Sequence, residues 1–337
     1  MEMKSMNIYV EIPTGLIRDT FLTPENIALL ESLGNVQWNP SAEHLTPEQM
    51  RDALVDVDVC VCCWGITPFS SFVLEKANKL KVIAYVGGSV NHFATDAVYD
   101  KGIYVLSGNQ EFARSVAEGN LGYIIAALRR LPQTVQDFAE NGWPTVYTRT
   151  ESIIEQNVGI VGLGTISRYL IQYLKPFDVN IKIFSNHTTD EEAAELGVEK
   201  VSLEEMFRTC KIISVNSSRT PKNYHMISDE LMGLLRPDCL LVNTSRGSLI
   251  DEEAMAKHLR QGHFRAIIDV YEVEPLPMDS PLRGLENAIL IPHRGGPTTD
   301  RRAAAARIVI EDIRNLKDGK PLKHTVGRAR AATMTHL

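Results

Sequence analysis

The chain has 337 residues, 44% of them hydrophobic and 23% charged, enough to bury the cores of two domains of ordinary size. Its formal net charge of −7 argues against a nucleic acid or an anionic membrane as partner, because either calls for a dense basic surface. No run of about 18 apolar residues marks a membrane span and no apolar core follows Lys4 as in a signal peptide, so a cytoplasmic protein is expected.

The chain opens as an alternation of strands and helices. NIYVEI (7–12), VDVCVCCW (57–64), KVIAYV (81–86) and IYVLS (103–107) are short β-rich runs, and SSFVLEKANKL (70–80) and HFATDAVYDKG (92–102) suit helices between them. That rhythm predicts a parallel sheet with crossover helices. Cys60, Cys62 and Cys63 formally contain a C-x-x-C, but no second cysteine or histidine pair follows at ligand spacing. They read as buried strand residues rather than a metal or redox site, and the odd total of five cysteines fits a reducing compartment.

A long apolar helix is predicted over Arg114–Leu131, then a polar loop, ENGWPTVYTRTES (140–152). A second α/β series follows in NVGIVGL, NIKIFS, KIISVN, CLLVNTS, FRAIIDV and AILIPH, the six strands of a full dinucleotide-binding sheet. A last amphipathic helix, about Asp300–Lys317, stops near Asp318-Gly319 with Pro321 beyond. Its place after the second series predicts a return to the first domain, which makes that domain discontinuous. The tail GRARAATMTHL (327–337) is expected to be disordered.

The stretch VGIVGLGTIS (158–167) closes a strand and opens a helix, the context in which Gly162-Leu163-Gly164-Thr165-Ile166-Ser167 reads as a dinucleotide-binding turn. Gly162 allows the tight turn, and Gly164 lets the backbone approach a pyrophosphate at the positive end of the helix. Ser167 stands where the pattern has its third glycine, a change that asks for a small local shift. The acid that holds the ribose of NAD belongs at the end of the next strand, roughly 20 residues on. Ser185, Asn186 and His187 occupy that place, with no carboxylate to repel a 2′-phosphate and no arginine to attract one. NAD(H) and NADP(H) both stay open.

Three pieces carry the chemistry: NTSRGSLIDEE with Arg246, IIDVYEVEP with Glu274 and LIPHRGG with His293. Each follows a β-rich run and so lies at the carboxyl edge of the sheet, where open α/β sheets bind ligands. Hydride transfer between nicotinamide and a 2-oxo or 2-hydroxy acid needs a proton donor and acceptor at the substrate oxygen, and a cation for the carboxylate and carbonyl. His293 and Arg246 supply these, and Glu274 stabilises the protonated imidazole so that it can donate near neutral pH.

With these residues in place, the chain resembles the D-isomer-specific 2-hydroxyacid dehydrogenases from about Lys81 to Lys323, since the glycine turn, NTSRG, DVYEVEP and PH occur in that family's order and spacing. The resemblance implies Arg246, Glu274 and His293 as the catalytic set and Asp269 as a supporting acid. It also implies that AYVGGSVN (84–91) is the loop whose backbone amides hold the substrate carboxylate, with Val86, Gly87 and Gly88 as candidates. SVAEGNLG (115–122) matches the start of the helix that opens the family's coenzyme domain. Coenzyme contacts are expected from Gly162, Gly164, Thr165, Ile166, Ser185, Asn186, His187, Asn216, Ser217, Thr244 and Asp269. The implied architecture is a doubly wound dinucleotide-binding domain, 109–299, inserted into a flavodoxin-like substrate domain, 1–108 plus 300–337, with a cleft that closes on the substrate. Dimers joined through the coenzyme domain are the family's habit, and no C-terminal regulatory domain of the serine-pathway type is expected.

Some residues depart from the family or have a plainer reading. Arg294 follows the catalytic histidine where small or apolar residues are common; it either clamps a second anionic group of the substrate or forms an ordinary salt bridge. Trp64 either lines the substrate pocket or packs its loop. His187, His225, His258 and His263 read as surface or loop histidines, and Asp251, Glu252 and Glu253 as the acidic first turn of a helix. The expected activity is therefore NAD(P)-dependent reduction of a small 2-oxo acid. The competing class is a dinucleotide-sensing protein of the corepressor type. A formate-oxidising relative is disfavoured by Glu274, which stands where that branch resembles a glutamine.

Overall fold

The computed structural model describes residues 5–143 and 149–335. In chain order its strands are β1 (Met6–Val10), β2 (Gly34–Trp38), β3 (Val59–Cys62), β4 (Val82–Tyr85), β5 (Tyr104–Ser107), β6 (Asn157–Val161), β7 (Asn180–Phe184), β8 (Glu199–Lys200), β9 (Ile212–Val215), β10 (Leu240–Asn243), β11 (Arg265–Ile268) and β12 (Ala288–Leu290). The helices are α1 (Leu16–Phe21), α2 (Pro24–Leu33), α3 (Pro47–Ala53), α4 (Asp96–Asp100), α5 (Asn109–Leu128), α6 (Leu131–Asn141), α7 (Thr165–Leu174), α8 (Asp190–Leu196), α9 (Leu203–Thr209), α10 (Asp229–Met232), α11 (Glu252–Arg260), α12 (Thr299–Lys317) and α13 (Arg328–Thr333). The chain divides into two units, one made of residues up to Ala113 and from Pro297 onward, the other of Arg114–Gly296. The boundary falls inside α5.

The first unit carries a parallel sheet in the order β2-β1-β3-β4-β5, a flavodoxin-like arrangement. Strands β3 and β4 are buried along their whole length because helices cover both faces. Side chains alternate between two cores: Cys60, Cys62, Ile83 and Tyr85 face one, with Met50, Phe69 and Val98; Val59, Val61, Val82 and Ala84 face the other. Helix α12 fills this second core with Ala305, Ala306, Val309, Ile310 and Ile313. The sequence expectation that the last helix returns to the first sheet is thus met. All five cysteines are free and buried, and burial pushes the Cys63 thiol up to about 12, which leaves it inert.

The second unit has a parallel sheet in the order β12-β11-β10-β9-β6-β7-β8, with helices packed on both faces. Its strand order reverses between β6 and β9, the switch point at which a doubly wound sheet opens for a ligand. Seven strands replace the expected six, because Glu199–Lys200 forms a two-residue, exposed edge strand.

One strand was not anticipated and three other expectations are corrected. GNVQW (34–38) is a strand: it lies half-exposed at the sheet edge and its three polar or glycine positions hide the β pattern. Residues 70–80 form successive turns rather than a helix, with Leu74 N bonded to Ser70 O but Glu75 and Ala77 bonded only three residues back. Helix α5 begins at Asn109, five residues before its expected start, and an unanticipated helix, α6, follows it and takes in Glu140 and Asn141 of the predicted polar loop; residues 144–148 of that loop lie outside the described residues. The tail is not disordered over 327–335, since Ala331 of α13 and Met334 just beyond it are buried in the first unit's core. Among the described residues no helix is long and apolar enough to cross a membrane.

Candidate active site

Strand β6 ends at Val161 and the chain turns through Gly162 with φ +92°, a backbone open to glycine. A Cβ there would lie 2.9 Å from Ser217 Cα, so the turn also needs the missing side chain for its close approach to the loop after β9. Gly164 is the N-cap of α7, its backbone is extended, and a Cβ there would meet nothing within 4 Å. The positive end of a ten-residue helix, opening on a glycine that leaves room for a close approach, fits a pyrophosphate. Thr165 and Ile166 form that first turn. Ser167 is fully buried, and its hydroxyl donates to Gly162 O at 2.7 Å, so the residue in the third glycine position braces the turn.

At the end of β7, Ser185 is half-buried and Asn186 and His187 are exposed. The next acid in the sequence, Asp190, opens α8 and pairs with Lys200 at 3.2 Å; Arg168, on α7, pairs with Glu192. Deeper in the site Asn216, Ser217 and Thr244 are tied together. Asn120, fully buried on α5, donates to Asn216 Oδ1 at 3.1 Å and accepts from Thr244 Oγ1 at 2.9 Å, while Ser245 Oγ donates to Ser217 O. Asn120 was not singled out from the sequence, although a lone asparagine in an apolar helix was the available signal.

Arg246, Glu274 and His293 lie on the loops after β10, β11 and β12, three neighbours in the sheet. His293 Nδ1 bonds Glu274 Oε2 at 2.6 Å, and the other carboxylate oxygen accepts Tyr271 N at 2.9 Å, so both oxygens are fixed. With Nδ1 committed to the carboxylate, Nε2 is the nitrogen left to give or take a proton. The imidazole is reachable, with its side chain 47% exposed. His293 sits at φ +50°, in the left-handed region, held by its N–H bonds to Asp269 O and Ile291 O. Asp269, 1% exposed, accepts Arg294 N at 2.6 Å and Gly295 N at 2.7 Å and so locks the turn after the histidine. Burial pushes the Asp269 carboxyl above its usual range in spite of these donors. Gly247 ties the loops together: a Cβ there would lie 1.9 Å from Tyr271 C, so no other residue lets the Arg246 loop pass the loop that carries Glu274.

Further carboxylates surround the pair. Glu252 Oε1 accepts Glu272 N at 2.6 Å, and burial together with the charges of Glu272 and Glu274 pushes its carboxyl up. The acidic first turn of α11 is present as expected, with Asp251 capping Ala254 N. His225 is paired with Glu272 and stacked on Tyr224. His258 departs from expectation: it is 9% exposed, lies on α11 and bonds Asp229 at 2.7 Å. Arg294 is exposed, and among the described residues no carboxylate pairs with its guanidinium.

Val86, Gly87, Gly88 and Trp64 belong to the first unit, on the loops after β4 and β3. Trp64 is half-buried, edge-on to Phe21 at 5.1 Å and to Phe112 at 5.7 Å, with the Arg302 guanidinium 5.2 Å above its ring. Its loop packing is therefore extensive.

Residues 121–295, just over half of the chain, match the NAD binding domain of the D-isomer specific 2-hydroxyacid dehydrogenases. Over 307 residues, 90% of the chain, the sequence is 34% identical to the D-3-phosphoglycerate dehydrogenase of Methanocaldococcus jannaschii, of which it covers 58%. It is 30% identical over 258 residues to the glyoxylate reductase of Korarchaeum cryptofilum, covering 75% of this chain and 78% of that protein. A crystal structure of a phosphoglycerate oxidoreductase from Rhizobium etli superposes with a TM-score of 0.78 at 25% identity, covering 96% of this chain and 99% of that one. The chain spans 57–58% of the length of the phosphoglycerate dehydrogenases it matches.

Proposed function

Because the chain belongs to the D-isomer specific 2-hydroxyacid dehydrogenase family and takes a nicotinamide dinucleotide as cofactor, we propose that it interconverts a small anionic 2-oxo acid and the matching D-2-hydroxy acid. The 2.6 Å bond between His293 Nδ1 and Glu274 Oε2 carries this reading. When bound, the reduced dinucleotide supplies a hydride for the carbonyl carbon. His293 gives the proton from Nε2 to the carbonyl oxygen, so that C=O becomes CH–OH, and in oxidation the same nitrogen takes the proton back. Glu274 stabilises the imidazolium, and Asp269 holds the turn on which it sits. Arg246 binds the carboxylate and polarises the carbonyl. Val86, Gly87 and Gly88 receive the carboxylate on backbone amides, and Trp64 bounds the substrate side chain.

The dinucleotide is held by Gly162, Gly164, Thr165 and Ile166 at its pyrophosphate, by Ser185, Asn186 and His187 at its ribose, and by Asn216, Ser217, Thr244 and Asp269 further along. Ser185, Asn186 and His187 end β7 with neither a carboxylate nor a guanidinium among them, so NADH and NADPH are both expected to serve, with KM values within about tenfold. Arg294, with no carboxylate partner among the described residues, is the candidate clamp for a phosphate or second carboxylate. A dinucleotide-sensing role is not favoured, since the relatives named above are a dehydrogenase and a reductase.

The test follows absorbance of NADH, and separately NADPH, with glyoxylate, hydroxypyruvate, pyruvate, oxaloacetate, 2-ketoisocaproate and phosphohydroxypyruvate. Turnover is expected with at least one, and His293→Ala should lower kcat by about 10²–10⁴-fold while coenzyme affinity holds within about twofold. Coenzyme binding without turnover on the whole panel sinks the proposal.

A further inference from the structure

Two consecutive glycines form the loop to which the reading above gives the substrate carboxylate, and such a loop has the most freedom to lose when it is ordered. The first unit holds it from three sides. Tyr85, 1% exposed, lies beneath: a Cβ at Gly87 would come within 2.4 Å of its ring. Ser107, at the end of β5 and 3% exposed, places its hydroxyl 3.0 Å from Gly87 O and 2.6 Å from Gly88 O, so the loop's carbonyls turn inward onto a buried donor.

The third support is the tail. Ser89 Oγ donates to Thr335 O at 2.9 Å and Asn91 Nδ2 donates to Ala331 O at 3.1 Å. Ala331 and Met334 are buried in the same core as Tyr85, Val90 and Phe93. The tail is itself anchored. Val326 N donates to Val105 O at 2.8 Å and Ser107 N to His324 O at 3.1 Å, which sets the tail against β5. The buried Asp312 carboxylate of α12 accepts Lys323 N at 2.9 Å and His324 N at 2.7 Å. Arg328 stacks over Tyr99 at 5.6 Å and pairs with Asp100.

We propose that residues 324–335 are a positioning element for the carboxylate loop, acting through Ser89 and Asn91 to hold the Gly87-Gly88 backbone in its binding conformation before the substrate arrives. The proposal rests on the functional reading above. A loop already ordered does not spend binding energy on its own ordering, so the tail acts on substrate affinity and leaves coenzyme affinity alone.

The experiment compares the wild-type chain with Ser89→Ala, Asn91→Ala, Met334→Glu and the conservative Ser89→Thr. Amide hydrogen exchange over residues 86–91 is measured on each, then KM for glyoxylate and for the reduced coenzyme, and the affinity for oxamate, a non-reducible isostere of a 2-oxo acid. Ser89→Ala and Asn91→Ala are expected to speed exchange in the loop about tenfold and to raise KM for glyoxylate and weaken oxamate about three- to tenfold each. Coenzyme KM stays within about twofold, and Ser89→Thr restores the wild-type values. Unchanged exchange in both alanine variants overturns the proposal whatever the activity. Faster exchange with unchanged KM and oxamate affinity also overturns it, since the tail then supports stability alone. A wild-type chain that turns over no member of the 2-oxo acid panel and does not bind oxamate overturns the functional reading and the carboxylate role with it; exchange, which needs no substrate, tells that failure from the others.

Discussion

Ser167 lies fully buried at the position where a dinucleotide turn usually has its third glycine, and its hydroxyl reaches back to the carbonyl of the first. Ser167→Gly removes that bond and puts glycine into α7, so it should lower stability by about 1–2 kcal/mol while coenzyme affinity changes by less than about twofold. Urea unfolding and a fluorescence titration with NADH measure the two; a tenfold loss of affinity would place the serine against the coenzyme. Arg294→Ala makes a second case. It should depress kcat/KM about tenfold for a phosphorylated or dicarboxylic substrate and leave a monocarboxylate near wild type, and equal losses on both would end the clamp reading. The Arg246, Glu274 and His293 pieces were legible because each is a short motif after a strand, and chain order alone brings strand ends to one edge. Asn120 was not, because its partners lie 96 and 124 residues away and only the fold reveals them.

At the scale of elements, the amino edge of the second sheet is held by charges rather than chemistry. Lys211, 5% exposed and just before β9, bonds Glu151 at 2.6 Å and Asp238 at 2.8 Å, and Arg265 at the start of β11 also pairs with Glu151. Burial opposes ionisation of Glu151, but the Lys211 hydrogen bond and the Arg265 charge outweigh it and hold the carboxyl below its usual range. A carboxyl whose folded value is depressed contributes stability above its unfolded value and loses it as pH falls through the folded one. Glu151→Gln should therefore cost about 2 kcal/mol at pH 7, and the gap in melting temperature from wild type should close as the pH drops below about 4. A gap that persists at low pH would assign the loss to packing. Strongly patterned strands such as β3, β4 and β9 were readable from their sequences. Strand β2 was not, because it is short, half-exposed and contains a glycine pressed against the Met6 carbonyl; α13 was missed because its burial comes from a sheet some 240 residues earlier in the chain, as in the bond from Asn91 to Ala331.

For the molecule as a whole, α6 poses the question of assembly. None of its residues is buried, and Leu131, Val135 and Phe138 form an apolar stripe that is 53%, 60% and 54% exposed, with Trp143 beyond at 79%. Such a stripe on the second unit fits the family expectation of a homodimer joined there. Val135→Glu with Phe138→Glu should turn a dimer into a monomer in sedimentation velocity, and a wild-type chain that sediments as a monomer rejects the interface. The division of the chain has a further consequence, for the order of synthesis. The first unit takes part of its core from α12 and α13, so β1 to β5 leave the ribosome without all of the residues that cover them. All of Arg114–Gly296 must be translated first, roughly 10–40 s at about 5–20 residues per second. In that interval the contiguous second unit can close while the first exposes Val59, Val61, Val82 and Ala84, an apolar face that invites chaperones. Chains truncated after Gly296 and released from the ribosome should accordingly keep a protease-resistant second unit and lose the first.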